Sequence, residues 1–128
     1  MDPIANMIIM MKNGSAAGKE SVVMPYSKMK HAIAVCLKKE GYVGEISQKV
    51  QKTKPVLEIE LIYQGKKPKI SDVERVSKQS KRVYFKAKDI HSIRGNSGLL
   101  VLSTPKGILG GKDARHEQVG GEALFKIW

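Results

Sequence analysis

Between Val56 and Tyr63 the chain alternates cleanly, with Leu57, Ile59 and Leu61 on one side and Glu58 and Glu60 on the other. Successive side chains of a strand point to opposite faces, so this segment is a strand that buries one face. Amphipathic helices upstream supply the layer it needs. Asp2-Pro3 opens the first: Asp caps free N–H groups, and Pro at the first helical position gives up no hydrogen bond. Ile4, Met7, Ile8 and Met11 then recur at three- and four-residue spacing, and Asn13-Gly14 is expected to stop the helix. Ser15 to Ser21 reads as an exposed connector, and Val22 to Tyr26 as a short strand. Ser27 caps a second helix reaching about Glu40, with Gly41 as its stop and Met29, Ile33, Cys36 and Leu37 as its apolar stripe. Tyr42 to Ser47 and Val56 to Tyr63 are then two strands joined by a basic turn, Lys49 to Pro55.

After Gln64-Gly65-Lys66-Lys67-Pro68 the composition shifts. Lys69 to Ser77 suits a strand or a short helix. Val83 to Lys86, Leu99 to Ser103 and Ala123 to Trp128 read as strands, and Lys112 to Glu117 as a helix of one or two turns. The predicted class is α+β in two small lobes. Residues 1–64 form a helix–strand–helix–strand–strand lobe, and residues 65–128 a mostly antiparallel β lobe.

The chain has 128 residues and a formal net charge of +11. Residues 1–64 carry nine lysines against six acids, and residues 65–128 fourteen Lys and Arg against six acids. Any single lysine is an ordinary solvated side chain, but an excess this large points to an anionic partner, and nucleic acid is the commonest polyanion in the cytosol. The longest apolar run is the six residues Ala32 to Leu37, far below the roughly 20 of a membrane span. No basic leader or Ala-x-Ala site opens the sequence, so no secretory signal is expected. The single Cys36 cannot form an internal disulfide or a cysteine zinc cluster, so a reduced, cytosolic setting is expected.

The most informative loop is Ser103-Thr104-Pro105-Lys106-Gly107, directly after an apolar strand. Two hydroxyls there suit base edges and ribose 2′-hydroxyls, Lys106 a phosphate, and Gly107 a close approach or a positive φ. The same composition suits an ordinary tight turn. Val119-Gly120-Gly121-Glu122 is a second candidate. Its glycines permit close approach of the Ser103 loop or of a ligand, and Glu122 can orient a hydroxyl or accept from a base; a bulged turn with a solvated acid is the alternative. Arg75, Lys78, Lys81, Arg82, Lys86 and Lys88 surround Tyr84 and Phe85, with Arg82, Tyr84 and Lys86 on one strand face. Aromatics are only 5% of the chain, too few for a stacking platform. Recognition of folded or double-stranded RNA through shape, hydroxyls and phosphates is therefore expected.

Enzymatic chemistry finds no support. His31, His91 and His116 lack metal-ligand spacing, Cys36 sits on an apolar stripe, and the acids show no paired pattern. Gly107 to Lys112 has the wrong spacing for a phosphate loop, and Asp113 stands where its Ser or Thr belongs. No catalytic residue, metal or cofactor is predicted.

Asp2-Pro3-Ile4-Ala5, Asn13-Gly14, Met24-Pro25-Tyr26-Ser27-Lys28, Glu40-Gly41-Tyr42, Arg75-Val76-Ser77, Arg82-Val83-Tyr84, Ser103 to Gly107, Ala114-Arg115 and Val119 to Glu122 occur in this order. Together they resemble the bacterial form of the eighth protein of the small ribosomal subunit, along essentially the whole chain. The resemblance implies a cytoplasmic, non-enzymatic component of the ribosome. It implies a primary binder of a helix in the central domain of small-subunit ribosomal RNA that helps assemble the platform. It also implies contacts with neighbouring small-subunit proteins, a monomer when free, and in some members binding to the protein's own messenger. Carried over, Ser103, Thr104, Pro105, Lys106 and Gly107 form the recognition loop, Glu122 supports it, and Arg82, Tyr84, Lys28 and Lys30 are secondary RNA contacts. Pro105 stands where serine is common, Gln79-Ser80 where Pro-Gly is usual, and Gly110-Gly111 where Thr-Asp often caps the short helix. Met10 and Met11 fall where an arginine is common.

Overall fold

The computed structural model describes residues 2–90 and 98–128. His91, expected to be an isolated surface or partly buried histidine, lies outside the described residues. In chain order the elements are α1 (Pro3–Ala16), β1 (Ser21–Pro25), α2 (Lys28–Lys39), β2 (Val43–Gln51), β3 (Lys54–Leu61), β4 (Tyr63–Gln64), β5 (Lys67–Pro68) and β6 (Val73–Arg75). There follow β7 (Tyr84–Phe85), a 3₁₀ turn at Ala87–Asp89, β8 (Leu99–Thr104), β9 (Gly107–Gly110), α3 (Gly111–His116) and β10 (Gly121–Ile127). The expected α+β class is the one observed. The chain forms two compact units, Pro3–Ser71, and Met1–Asp2 with Asp72–Trp128. Residues 65–71, including β5, group with the first unit. No helix among the described residues is long and apolar enough to cross a membrane.

In the first unit the antiparallel sheet runs β1-β3-β2. The alternation seen in sequence is physical: Leu57, Ile59 and Leu61 are buried, as are Met7, Ile8 and Met11 of α1 and Ile33 and Leu37 of α2. Ser27 caps α2, its Oγ accepting the Lys30 N–H at 3.1 Å. Gly41 takes φ +82° directly after the Glu40 C-cap. Three expectations are corrected. The first helix does not stop at Asn13-Gly14 but continues to Ala16, and Gly14 and Ser15 are buried. Gly14 is there for space, since a Cβ would sit 2.7 Å from Val22 Cγ1. Met29 is exposed, and Ala34 takes the place expected for it in the buried stripe. The expected basic turn is narrower too: Gln51 pairs with Lys54, leaving only Lys52 and Thr53 at the bend.

Glu58 lies on the polar side of this sheet. Lys49 Nζ stands 2.6 Å from its Oε1, and Ser21 Oγ donates to Oε2 at 3.1 Å. The hydrogen bond from Lys49, then that from Ser21, then the Lys49 charge hold the carboxyl below its ordinary pKa of 4.5. A carboxyl with a depressed folded-state pKa adds stability above its unfolded value and loses it as pH falls through the folded one. Glu58→Gln should therefore lower stability at pH 7 while flattening its decline below about pH 4.5, as read by urea unfolding across pH 2–7.

Candidate nucleic-acid interface

In the second unit β10 is the shared strand. The sheet order is β6-β10-β8-β9, and β7 also pairs with β10. A register shift between Ala123 and Phe125 divides β10. Past the shift it pairs with β6, Phe125 opposite Arg75; before it, with β7, Gly121 opposite Phe85 and Glu122 opposite Tyr84. Along its other edge Glu122 faces Ser103 of β8, and Ser103 faces Ile108 of β9.

Directly opposed residues of antiparallel strands share a face, with Cβ atoms about 5 Å apart. The register thus sets Ser103, Glu122 and Tyr84 in one row across three strands, although 19 positions separate Ser103 from both of the others. Arg82 joins them, its Nη1 donating to Glu122 Oε2 at 3.1 Å. Tyr84 is 69% exposed. Ser103 is half-buried, and its hydroxyl has no protein partner among the described residues. The opposite face is core: Leu100, Leu102, Ala114, Ala123 and Ile90 cluster there, with Phe85, Val83 and Leu109 packed against them. The inward aromatic is Phe85 and the outward one Tyr84.

Thr104 pairs with Gly107 across a bend of Pro105 and Lys106. Gly107 takes φ +109°, so the turn closes through a glycine as hairpin loops commonly do. The Thr104 hydroxyl donates to Gly107 O at 2.7 Å and accepts the Lys106 N–H at 3.1 Å. Its proton is committed to the chain's own backbone, leaving one acceptor lone pair; Ser103 carries the uncommitted hydroxyl. Lys106 Nζ is 3.4 Å from Glu117 Oε1, an exposed pair. Pro105, Lys106 and Gly107 are themselves exposed. Gly107 to Lys112, rejected as a phosphate loop in sequence, is the returning strand β9 followed by the start of α3.

The glycine pair explains how three strands meet here. A Cβ on Gly121 would overlap the Ser103 carbonyl oxygen and lie 2.9 Å from its carbon, and one on Gly120 would lie 2.9 Å from Lys86 Cα. Gly111 is packed likewise, its Cβ position 3.1 Å from Ile90 Cγ2. The absence of a side-chain cap at Gly110 accompanies that contact.

Lys28 and Lys30 belong to α2 of the other unit. Lys28 is exposed, whereas Lys30 is half-buried and its Nζ donates to Pro25 O at 3.3 Å. Among the described residues no group of three His, Cys, Asp or Glu is placed to hold a metal ion.

The chain matches the family model described as Ribosomal protein S8 over residues 2–128. It is 43% identical to the small ribosomal subunit protein uS8 of Burkholderia lata, covering 98% of this chain and 96% of the relative. The proteins of the same name from Dictyoglomus thermophilum and Saccharophagus degradans are each 42% identical, covering 99% of this chain and 97% of the relative. The chain belongs to the ribosomal protein S8 family. A protein of this family is a structural component of the ribosome in the cytoplasm, not an enzyme.

Two residues that position the site in this S8 family member escape a reading of the sequence. Arg75 falls there among the surface cations, but its side chain is only 10% exposed. It donates through Nε to Asp2 Oδ2 at 2.8 Å and through Nη1 to Leu124 O, the carbonyl at the β10 shift. Ser77 is fully buried. Its Oγ accepts the Val83 N–H at 2.8 Å and donates to Val83 O at 3.3 Å. That pair of hydrogen bonds pins the segment carrying Arg82 and Tyr84. The signal available in sequence is a serine in phase with Val73 and Arg75, the side of β6 that turns inward.

Ser77→Ala should cost this family member about 1–3 kcal/mol, because a buried N–H loses its acceptor. Gly121→Ala should cost about 2–3 kcal/mol, since the clash is with backbone that cannot rotate away. Chemical denaturation measures both.

Proposed function

We propose that the chain binds ribosomal RNA of the small subunit through its second unit, at a helix of the central domain, and so helps order the platform during assembly. The observation that supports this most directly is the row of Ser103, Glu122 and Tyr84 with the Arg82 ion pair beside it. It offers one free hydroxyl, an anchored carboxylate and an exposed phenol on a stiff sheet. Such groups suit ribose 2′-hydroxyls, base amino groups and a stacked or edge-on nucleoside. The Thr104 to Gly107 turn adds an acceptor lone pair, the Lys106 charge and an approachable glycine backbone. Lys78, Lys81, Lys86 and Lys88 are exposed on nearby sequence and supply phosphate neutralisation without sequence preference. Lys28 and Lys30 act as secondary contacts. Other small-subunit proteins are its neighbours in the assembled particle. A segment of the protein's own messenger with the same helix shape would compete for the same surface.

The test is filter binding of the full chain to a central-domain RNA fragment and to an unrelated duplex of equal length. Ser103→Ala should weaken the central-domain complex by about 1–3 kcal/mol and leave the unrelated duplex almost unaffected. Combined Lys78→Ala and Lys81→Ala should weaken both RNAs alike and make log affinity less steep against log salt. Equal losses on the two RNAs for Ser103→Ala would overturn specific recognition by the row.

A further inference from the structure

We infer that the outer end of the β2–β3 hairpin, residues 48–55, is a second RNA-binding arm that grips the sugar-phosphate backbone of double-helical RNA. The inference rests on the reading above that the chain binds RNA, and it concerns the first unit by itself.

Strand β1 pairs with β3 only from Val56 to Glu60. Beyond Val56, Pro55 lies opposite Val50 and its carbonyl accepts one last bond from the β1 side, the Tyr26 N–H at 3.2 Å, while Lys54 pairs with Gln51 of β2 alone. From Val50 to Lys54 the hairpin therefore runs on past its sheet as a two-stranded ribbon, and all eight residues from 48 to 55 are exposed. A ribbon that buries nothing is marginal in water, so it adds little to the stability of the fold.

Its chemistry is one-sided. Register puts Lys49, Gln51 and Lys54 on one face and Val50 with Pro55 on the other, Val50 being 72% exposed. The arm has three lysines and no acid. Lys49 is engaged by Glu58 at 2.6 Å, whereas Lys52 and Lys54 have no acidic partner among the described residues.

The bend is costly in its own right. Lys52 and Thr53 both lie in the left-handed region, at φ +50° and +66°. A two-residue bend of that kind favours Asn-Gly. This chain instead keeps a cation and a hydroxyl there, against the local preference, and such outliers gather at functional places. Charge complementarity calls for a polyanion. The amide of Gln51 suits ribose 2′-hydroxyls, which the wide, shallow minor groove of RNA displays beside its phosphates; the Thr53 hydroxyl donates to Lys52 O and offers its acceptor lone pairs only.

The experiment uses the full chain, the central-domain RNA, hydroxyl-radical footprinting and a salt titration. Lys52→Ala/Lys54→Ala should weaken binding about tenfold at 0.1 M salt and lower the log–log salt slope by about 1.5–2. It should also erase a protected RNA segment different from the one that Ser103→Ala exposes. Lys52→Asn/Thr53→Gly gives the bend its favoured residues. It should melt at or above the parent temperature while losing part of the same protection. If both variants keep the parent's affinity, slope and protection, the arm is not an RNA contact, and loss of an acidic protein neighbour alone would not save it. Failure of the unmutated chain to bind RNA would remove the function proposed above as well. Binding by that chain with both arm variants unchanged removes only the arm.

Discussion

The second unit depends on bringing the β10 backbone against its neighbours at Gly120 and Gly121. Any side chain there would run into the main chain of Ser103, Phe85 or Lys86. Because the approach is allowed, β10 can carry β8 along one edge and, on the other, β6 and β7 in succession. The change of partner falls at the register shift between Ala123 and Phe125. The Leu124 carbonyl at that shift receives both the Val76 N–H at 3.0 Å and the Arg75 guanidinium. An irregular place in a ladder would otherwise strand a buried acceptor. The result is a row of polar groups on a stiff surface, drawn from segments far apart in the chain.

In the first unit the polar half of an amphipathic strand is structural as well. Glu60 is exposed, yet its Oε1 accepts the Glu45 N–H at 3.0 Å, beside the irregular pairing that follows Val43. A Cβ at Gly44 would overlap that carboxylate and lie 3.0 Å from Glu60 Cδ. One acid thus fills a bulge and supplies the acceptor that the bulge removed from the ladder. Glu58, two residues earlier, is held by Lys49 and Ser21.

Local periodicity carried most of the fold. The clean alternation at Leu57, Ile59 and Leu61, the three–four spacing of Met7, Ile8 and Met11, and the Ser27 cap all reflect forces acting within a few residues. What escaped depends on distant partners. Asn13-Gly14 looks like a helix end until Val22 packs beside Gly14. Arg75 looks like one more cation until Asp2 and Leu124 enclose it. Ser77 is an ordinary serine until Val83 returns beside it. At the candidate site the Ser103 loop and Glu122 were legible because Gly, Pro and hydroxyl residues punctuate the chain there. Their alignment with Tyr84 was not, since a register between strands nearly twenty residues apart leaves no mark in either segment. The strand β9 was hidden for a related reason: its glycines resemble a loop, and only pairing with β8 makes them extended.

The bend at Thr104 has a thermodynamic corollary. Its hydroxyl already bridges Lys106 and Gly107, Pro105 allows little backbone rotation, and the flanking strands are paired up to the corner. Such a corner meets a partner in the shape it keeps alone, so few torsions are frozen on contact. Most of the reorganisation in a complex would then fall on the nucleic acid, which bends or opens to fit a protein edge that does not yield.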